Sequence, residues 1–321
     1  MSEQSFDFTK NKAKEIIDEV SKAVVGQYEF VEQLVIVLLS GGHALIEGVP
    51  GLGKTLASRV LAKTIKADFK RVQFTPDLMP ADIIGTKVYD AKSSNFYLKN
   101  GPLFTNIFLA DEINRTPPKT QSALLESMEE RSITIDGETH RLKEPFMVVA
   151  TQNPVEYEGT YPLPEAQMDR FMMKLIVDYI PQKFEDILLG KFNEGFNSNT
   201  LENVEIRAVC DFDDIKKCRE EIQKVEVKSE IISYITSIVK ATRNSPSLIL
   251  GASPRASIAM LLASKTFAAI QGRSYVTPED VKDIALPVLR HRIILKPEAG
   301  IDGIQNDDII RNILNKVEVP R

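Results

Sequence analysis

Apolar residues recur at helical spacing between positions 12 and 39, first as Ile16, Ile17, Val20 and Ala23, then as Phe30, Val31, Leu34, Val35 and Leu38. That rhythm predicts two amphipathic helices, each burying one stripe. From residue 43 the pattern changes. Short, mostly apolar runs at 44–46, 72–74, 107–110, 146–150 and 175–177 alternate with helical stretches. Runs of that length fit strands covered on both faces, and their alternation with helices predicts a mostly parallel sheet sandwiched by helices. Past Pro181 no comparable run recurs, and helical spacing takes over at Ile231, Ile232, Ile235, Ile238 and Val239, then at Ile258, Leu261, Leu262 and Phe267. Ser253-Pro254 and Thr277-Pro278 each place a capping hydroxyl before a proline suited to the first helical position, and Asp280 follows Thr277 at near capping-box spacing. The expected class is an α/β core over residues 1–190 followed by an all-helical domain over 191–321, with residues 193–199 as a surface connection.

Composition narrows the function classes. A length of 321 residues suits about two domains, and 26% charged with 43% hydrophobic residues is ordinary globular usage. A formal charge of −5 and a pI near 5.5 weigh against nucleic acid as a partner. Two cysteines, Cys210 and Cys218, make no disulfide framework, and His43, His140 and His291 never fall at a helical ligand spacing. Residues 1–7 carry no apolar core behind a basic start, and the run 34–39 is far below the ~20 residues of a membrane span. A soluble cytoplasmic protein is expected.

The chemistry begins at Gly48-Val49-Pro50-Gly51-Leu52-Gly53-Lys54-Thr55, a full match to G-x-x-x-x-G-K-[ST] between a predicted strand and a predicted helix. Glycines let such a loop wrap a polyphosphate with its N–H groups and a helix N-terminus pointing inward. Gly48, Pro50, Gly51, Leu52, Gly53, Lys54, Thr55 and the following Leu56 are the candidate nucleotide contacts. Lys54 is expected on the β/γ-phosphates and the Thr55 hydroxyl on Mg²⁺. Further on, the strand-like Ile107-Phe108-Leu109-Ala110 delivers Asp111 and Glu112 to the sheet edge where ligands bind. Asp111 suits the metal's outer shell, and Glu112 suits orientation or polarisation of the attacking water. ATP with Mg²⁺ is the expected cofactor pair. The decoy Leu39-Ser40-Gly41-Gly42-His43 looks like the ABC-transporter signature but lies upstream of the phosphate loop, so it reads as a helix ending at a glycine cap.

The order of these pieces resembles the AAA+ ATPases and, within them, the MoxR family, over about residues 20–300. The most specific stretches are Ala110-Asp111-Glu112-Ile113-Asn114-Arg115-Thr116-Pro117-Pro118-Lys119, Ala150-Thr151-Gln152-Asn153-Pro154 and Pro164-Glu165-Ala166-Gln167-Met168-Asp169-Arg170-Phe171. The resemblance implies an AAA+ core with a C-terminal helical lid. It makes Asn153 the first sensor, Arg170 an arginine finger reaching the ATP of an adjacent subunit, and Val24-Val25-Gly26-Gln27 an adenine-contacting segment that includes Val25 and Gly26. Arg115 is a rival for the trans-acting cation. Gly251-Ala252-Ser253-Pro254-Arg255 resembles the second-sensor motif. Arg255 also stands on a physical argument. In the first turn of a helix the macrodipole disfavours a cation by ~0.3–1 kcal/mol, so an anion is expected nearby, either an ATP phosphate in the chain's own site or a buried carboxylate.

The Asp136-Gly137 hairpin signal within residues 134–139 and the mixed polar–aromatic stretch 75–104 resemble the two β inserts shared with magnesium-chelatase ATPases. The implied function is an ATP-driven chaperone-like motor that remodels or assembles a protein complex. It would work as a ring, expected to be a hexamer, with a von Willebrand factor A-domain protein and a client complex as partners. A nucleic-acid motor or clamp loader on the same fold is the alternative, and a small-molecule kinase using Glu112 as base is a third.

Overall fold

All five apolar runs become strands of one sheet. In the computed structural model, which describes residues 6–153, 160–197 and 205–320, they lie side by side as Phe69–Gln73, Ile107–Asp111, Met147–Gln152, Ala44–Glu47 and Met173–Ile176, every neighbouring pair parallel. Successive side chains of a strand point to opposite faces, and here the two faces feed two apolar clusters. Ala44, Ile46, Ile107, Leu109, Met147 and Val149 enter one, while Leu45, Phe108, Ala110, Val148 and Ala150 enter the other. Helix Lys54–Thr64 covers the first face and helix Pro118–Glu130 the second. The three inner strands, buried on both sides, need no polar alternation and read as apolar runs, whereas the edge strand Phe69–Gln73 exposes Lys70, Arg71 and Gln73.

The two N-terminal helices run Asp7–Ser21 and Tyr28–Ser40. The second ends as expected at Gly41, which takes φ 72°. The Gly41 N–H donates to the Leu38 carbonyl and the Gly42 N–H to that of Val37. Arg219 and Arg131 donate to the Leu38 and Gly41 carbonyls at 2.9 and 2.7 Å, placing cations where the helix dipole is negative.

The C-terminal region is built of helices Phe212–Gln223, Ser229–Arg243, Pro254–Ile270, Pro278–Leu289 and Asn306–Lys316, with the short Pro297–Ile301. Both expected caps are present, Ser253 accepting from the Arg255 N–H and Thr277 from the Asp280 N–H. One expectation needs correction, because this region is not wholly helical. Leu248–Leu250 pairs antiparallel with Ile294–Leu295; elements of three and two residues leave no readable period. The two regions also pack against one another. The N-terminal helices, the phosphate-loop helix and the lid helices share one apolar cluster, and Ser40 Oγ lies 2.7 Å from Thr266 Oγ1 across it. The expected connection at 193–199 starts at the end of helix Gln182–Asn193, and its last two positions lie outside the described residues.

Two hairpins project as expected. Gly85–Asp90 pairs with Asn95–Asn100, exposing Tyr89, Phe96 and Tyr97. Ser132–Ile135 pairs with Glu138–Arg141 around Asp136 and Gly137, both at positive φ, as a tight two-residue turn requires. Lys87 and Glu138 join the hairpins at 2.7 Å.

His43, at the foot of strand Ala44–Glu47, links sheet to helix. Its Nδ1 accepts the Val148 N–H at 2.9 Å, and its Nε2 lies 3.2 Å from the Met128 carbonyl. Only the neutral ring with hydrogen on Nε2 satisfies both. Burial accordingly depresses its pKa from 6.5 to about 4. A histidine held neutral in the fold stabilises above its unfolded pKa and loses that contribution as pH falls from about 6.5 towards 4, some 3 kcal/mol in all by linkage. Urea midpoints measured from pH ~7 down to pH ~4.5 should therefore fall, and fall less for His43→Gln. Equal pH slopes for the two proteins would exclude this role.

Candidate functional site

The C-terminal ends of the central strands carry the expected chemistry. Gly48 follows strand Ala44–Glu47, and a Cβ there would meet the Val177 carbonyl oxygen at 2.5 Å, so only glycine lets the loop leave between adjacent strands. Gly51 and Gly53 take φ of 88° and 79°, and added Cβ atoms there would meet nothing within 4 Å. Their backbone borders an open cradle, capped by the N-terminus of helix Lys54–Thr64, which places Lys54 and Thr55 in its first turn. Both features suit a polyphosphate. Lys54 Nζ folds back onto the Gly48 carbonyl. Burial lowers its pKa, with Asp111, Glu112 and Glu47 pulling the other way. Leu52 and Leu56 anchor the loop by packing on the apolar cluster, and Pro50 is exposed.

Beside this loop, strand Ile107–Asp111 ends in the two carboxylates. Asp111 Oδ1 accepts from the Thr151 hydroxyl at 2.6 Å, and Oδ2 accepts from Arg71 Nε and Nη2 at 2.9 and 2.7 Å. Glu112 takes a left-handed φ of 57°, a conformation that costs a non-glycine residue energy and collects at functional sites. That turn aims its carboxylate away from Asp111 and into the reach of Gln73 Nε2 at 2.6 Å and Arg115 Nη1 at 3.0 Å. Thr151, on the adjacent strand, fastens the turn: its Oγ1 also accepts the Glu112 N–H at 2.8 Å. One buried hydroxyl thus fixes both the Asp111 carboxylate and the Glu112 backbone. Sequence reading gave Thr151 no role, because a threonine in a strand is ordinary β-propensity. Gln73 and Arg71 were missed for a related reason: they lie on the edge strand, distant in sequence from the acids.

Asn153 is buried just past strand Met147–Gln152, next in the sheet to the strand that ends at Asp111. Pro154, the last residue of its motif, lies outside the described residues. Arg115 is held by Glu112 of its own chain at this same edge.

The segment expected to touch adenine borders a cavity of about 380 Å³ lined by Gly26, Gln27, Tyr179, Ile180, Arg290 and Asp307 among others. Val25 is half-buried beside it. Gln27 Nε2 donates to the Leu52 carbonyl at 3.1 Å, which ties this segment to the phosphate loop. Gly26 sits at φ 77° with a virtual Cβ 2.7 Å from Phe184, so a side chain there would push helix Gln182–Asn193 away. The lid closes the cavity through Arg290, bonded to both Asp307 oxygens at 3.1 and 2.9 Å. The contributions of residues 178–180 and of the lid were not legible as motifs.

Arg170 and Arg255 stand elsewhere. Arg170 Nη1 donates to the Leu125 carbonyl at 2.9 Å and lies 3.6 Å from Glu129 Oε2. Arg255 Nη2 donates to Glu129 Oε1 at 2.9 Å. Met128, beside Glu129, is bonded by His43 at the foot of strand Ala44–Glu47, and the Met172 N–H donates to the His43 carbonyl. Both arginines therefore sit at the N-terminal edge of the sheet. The phosphate loop, Asp111 and Glu112 sit at the C-terminal edge. Four strand residues alone separate the edges by about 13 Å, further than an arginine side chain reaches. In this structure Arg255 faces Glu129 rather than the phosphate loop of its own chain. The anion offsetting its unfavourable helix position is a carboxylate, Glu129, which is exposed rather than buried. Asp169, the neighbour of Arg170 in sequence, accepts from Arg292 and Ser253.

The model of the ATPase family associated with various cellular activities (AAA) matches residues 43–173, and that of the AAA lid domain matches residues 240–313. The chain is 41% identical to Chaperone MoxR1 of Mycobacterium tuberculosis, over 95% of this chain and 81% of that protein. The chain belongs to the MoxR family of AAA+ ATPases. The chain is also 48% identical to the uncharacterized protein YeaC of Bacillus subtilis, over 95% of this chain and 93% of that one. A crystal structure of a putative ATPase from Cytophaga hutchinsonii superposes with a TM-score of 0.89 at 46% identity, covering 98% of this chain and 97% of the other. The α/β core with its lid is thus the AAA+ fold of a MoxR-family chain. Among the described residues no helix is long and apolar enough to cross a membrane.

Proposed function

We propose that this MoxR-family chain hydrolyses ATP between adjacent copies of itself in a closed ring, and uses the resulting lid motion for chaperone-like remodelling of a protein complex. The observation that carries the proposal is the separation of phosphate loop and arginine pair onto opposite sheet edges. A copy can complete its site only with a neighbour's arginines, and repeated head-to-tail contacts of this kind close into rings. A hexamer is the ring size that follows from the family resemblance. The name Chaperone MoxR1, carried by a 41% identical relative, supports the remodelling role. The family resemblance adds a von Willebrand factor A-domain partner, and the sparse cysteines suit a cytoplasmic site of action.

The donors fit Mg²⁺. Thr55 and Asp111 offer hard oxygens at the cradle, the donor type this ion prefers, with phosphate oxygens and water to complete its shell. Bound there, Mg²⁺ would neutralise charge on the β- and γ-phosphates. Lys54 exchanges the Gly48 carbonyl for phosphate oxygens. Arg71 releases Asp111. Glu112, aimed by its left-handed turn, takes the proton of the attacking water or orients it, while Asn153 bonds the γ-phosphate or that water. Arg170 and Arg255 of the neighbouring copy offset charge on the transferring phosphoryl group.

Mixing two inactive variants tests the arrangement. Lys54→Ala removes phosphate binding but still donates arginines, and Arg170→Ala does the reverse. Each should be near background alone, whereas a one-to-one mixture should recover roughly a quarter of the sites in random rings. A mixture as inactive as its components excludes the shared site.

A further inference from the structure

The carboxylate of Glu129 is divided between two cations. Oε1 takes Arg255 at 2.9 Å and Oε2 takes Arg170 at 3.6 Å. The second hold on Arg170, the Leu125 carbonyl, comes from one turn earlier on the same helix, Pro118–Glu130. The C-terminal end of that helix adds its own negative partial charge to the carboxylate. Nothing in the local sequence would otherwise bring these guanidinium groups together. One arrives from the segment before strand Met173–Ile176 and the other from the first turn of lid helix Pro254–Ile270. Two like charges at such proximity repel unless an anion lies between them. The triad still carries a net positive charge, and its members remain solvent-facing, with side-chain exposures of 39% for Glu129, 30% for Arg170 and 49% for Arg255.

We propose that Glu129 is a positioning residue for the shared ATP site: it clamps Arg170 of the core and Arg255 of the lid side by side, so that both enter the neighbouring copy's site as one unit. This rests on the reading that the arginines act on a neighbour. It adds that core and lid arginines are coupled through a single carboxylate, so a shift of the lid is passed to Arg170. Glu129 touches neither nucleotide nor water itself, and its effect should appear only in the copy that donates arginines.

Subunit mixing separates that effect from a folding defect. Arg170→Ala is the acceptor, with an intact phosphate loop, and Lys54→Ala is the donor. Adding Glu129→Gln to the donor should lower the ATP hydrolysis of the mixture roughly tenfold, the scale of cost for misplaced catalytic groups. Adding Glu129→Gln to the acceptor should leave the mixture unchanged, which also shows that the substituted chain folds and assembles. Equal hydrolysis with substituted and unsubstituted donors would overturn the role of Glu129. Faster hydrolysis with the substituted donor would overturn it too, making Glu129 a restraint rather than a positioner. No hydrolysis with either donor would instead sink the shared-site reading, and this inference with it.

Discussion

Glu112→Gln should lower ATP turnover by about 10²–10⁴-fold while leaving ATP binding intact, the range expected when a positioned general base is lost. The amide can still accept from Gln73 or Arg115, which hold the present carboxylate at 2.6 and 3.0 Å, so side-chain position should persist. The left-handed φ of 57° is held by the bond from the Glu112 N–H to Thr151, which the substitution does not touch. What disappears is the capacity to take a proton from water. Single-turnover hydrolysis beside equilibrium binding of a fluorescent ATP analogue separates these effects; with no tryptophan in the chain, an extrinsic probe is needed. Turnover within threefold of the parent would remove Glu112 from the mechanism. Loss of binding along with turnover would instead make it a residue of the nucleotide pocket.

Asp169→Ala should cost about 3–5 kcal/mol of stability, the penalty for leaving a buried charge without its partner. Arg292 is only 3% exposed at its side chain, and Asp169 Oδ1 accepts from its Nε at 2.6 Å. Burial pulls the Arg292 pKa down, and Asp169 is what opposes that shift. The remaining donors reach the carbonyls of Met172 and Phe171 at 3.0 and 2.8 Å, which supply dipoles but no charge. Asp169 Oδ2 also accepts from Ser253, the cap of the lid helix that carries Arg255, at 2.7 Å. Its loss should loosen lid from core as well. Urea unfolding followed by circular dichroism gives the cost. The paired replacement Asp169→Leu with Arg292→Met should recover most of it, since removing both charges leaves nothing unpaired. A single-variant cost below about 1 kcal/mol, or no recovery in the pair, would show that this buried pair does not secure the junction.

These expectations differ in how far they could be read from the chain alone. Glu112 was legible because an apolar strand ending in two acids is a local pattern, and local patterns survive in one dimension. So were the phosphate loop, the glycine cap at Gly41, the Asp136-Gly137 turn and the helix starts at Ser253 and Thr277. Each depends on backbone preferences and hydrogen bonds within a few residues. The three inner strands were legible because burial on both faces leaves almost no position free to be polar. Asp169 with Arg292 could not be foreseen, nor Thr151 with Glu112, since each pair joins segments far apart in sequence and either member alone looks like a surface or strand residue.

The sequence by itself determined the class of fold, the nucleotide loop, the acidic strand end and the identity of the arginines available. Only the tertiary structure decided on which side of the sheet those arginines lie. A parallel sheet carries all its strand ends of one polarity to one edge, so Asp111 and Glu112, which end a strand, share the upper edge with the phosphate loop. Arg170, which precedes a strand, and Arg255, brought by the lid to Glu129, fall at the other. Which edge a residue occupies follows from strand direction and long-range packing, and neither is written in any short stretch of the chain.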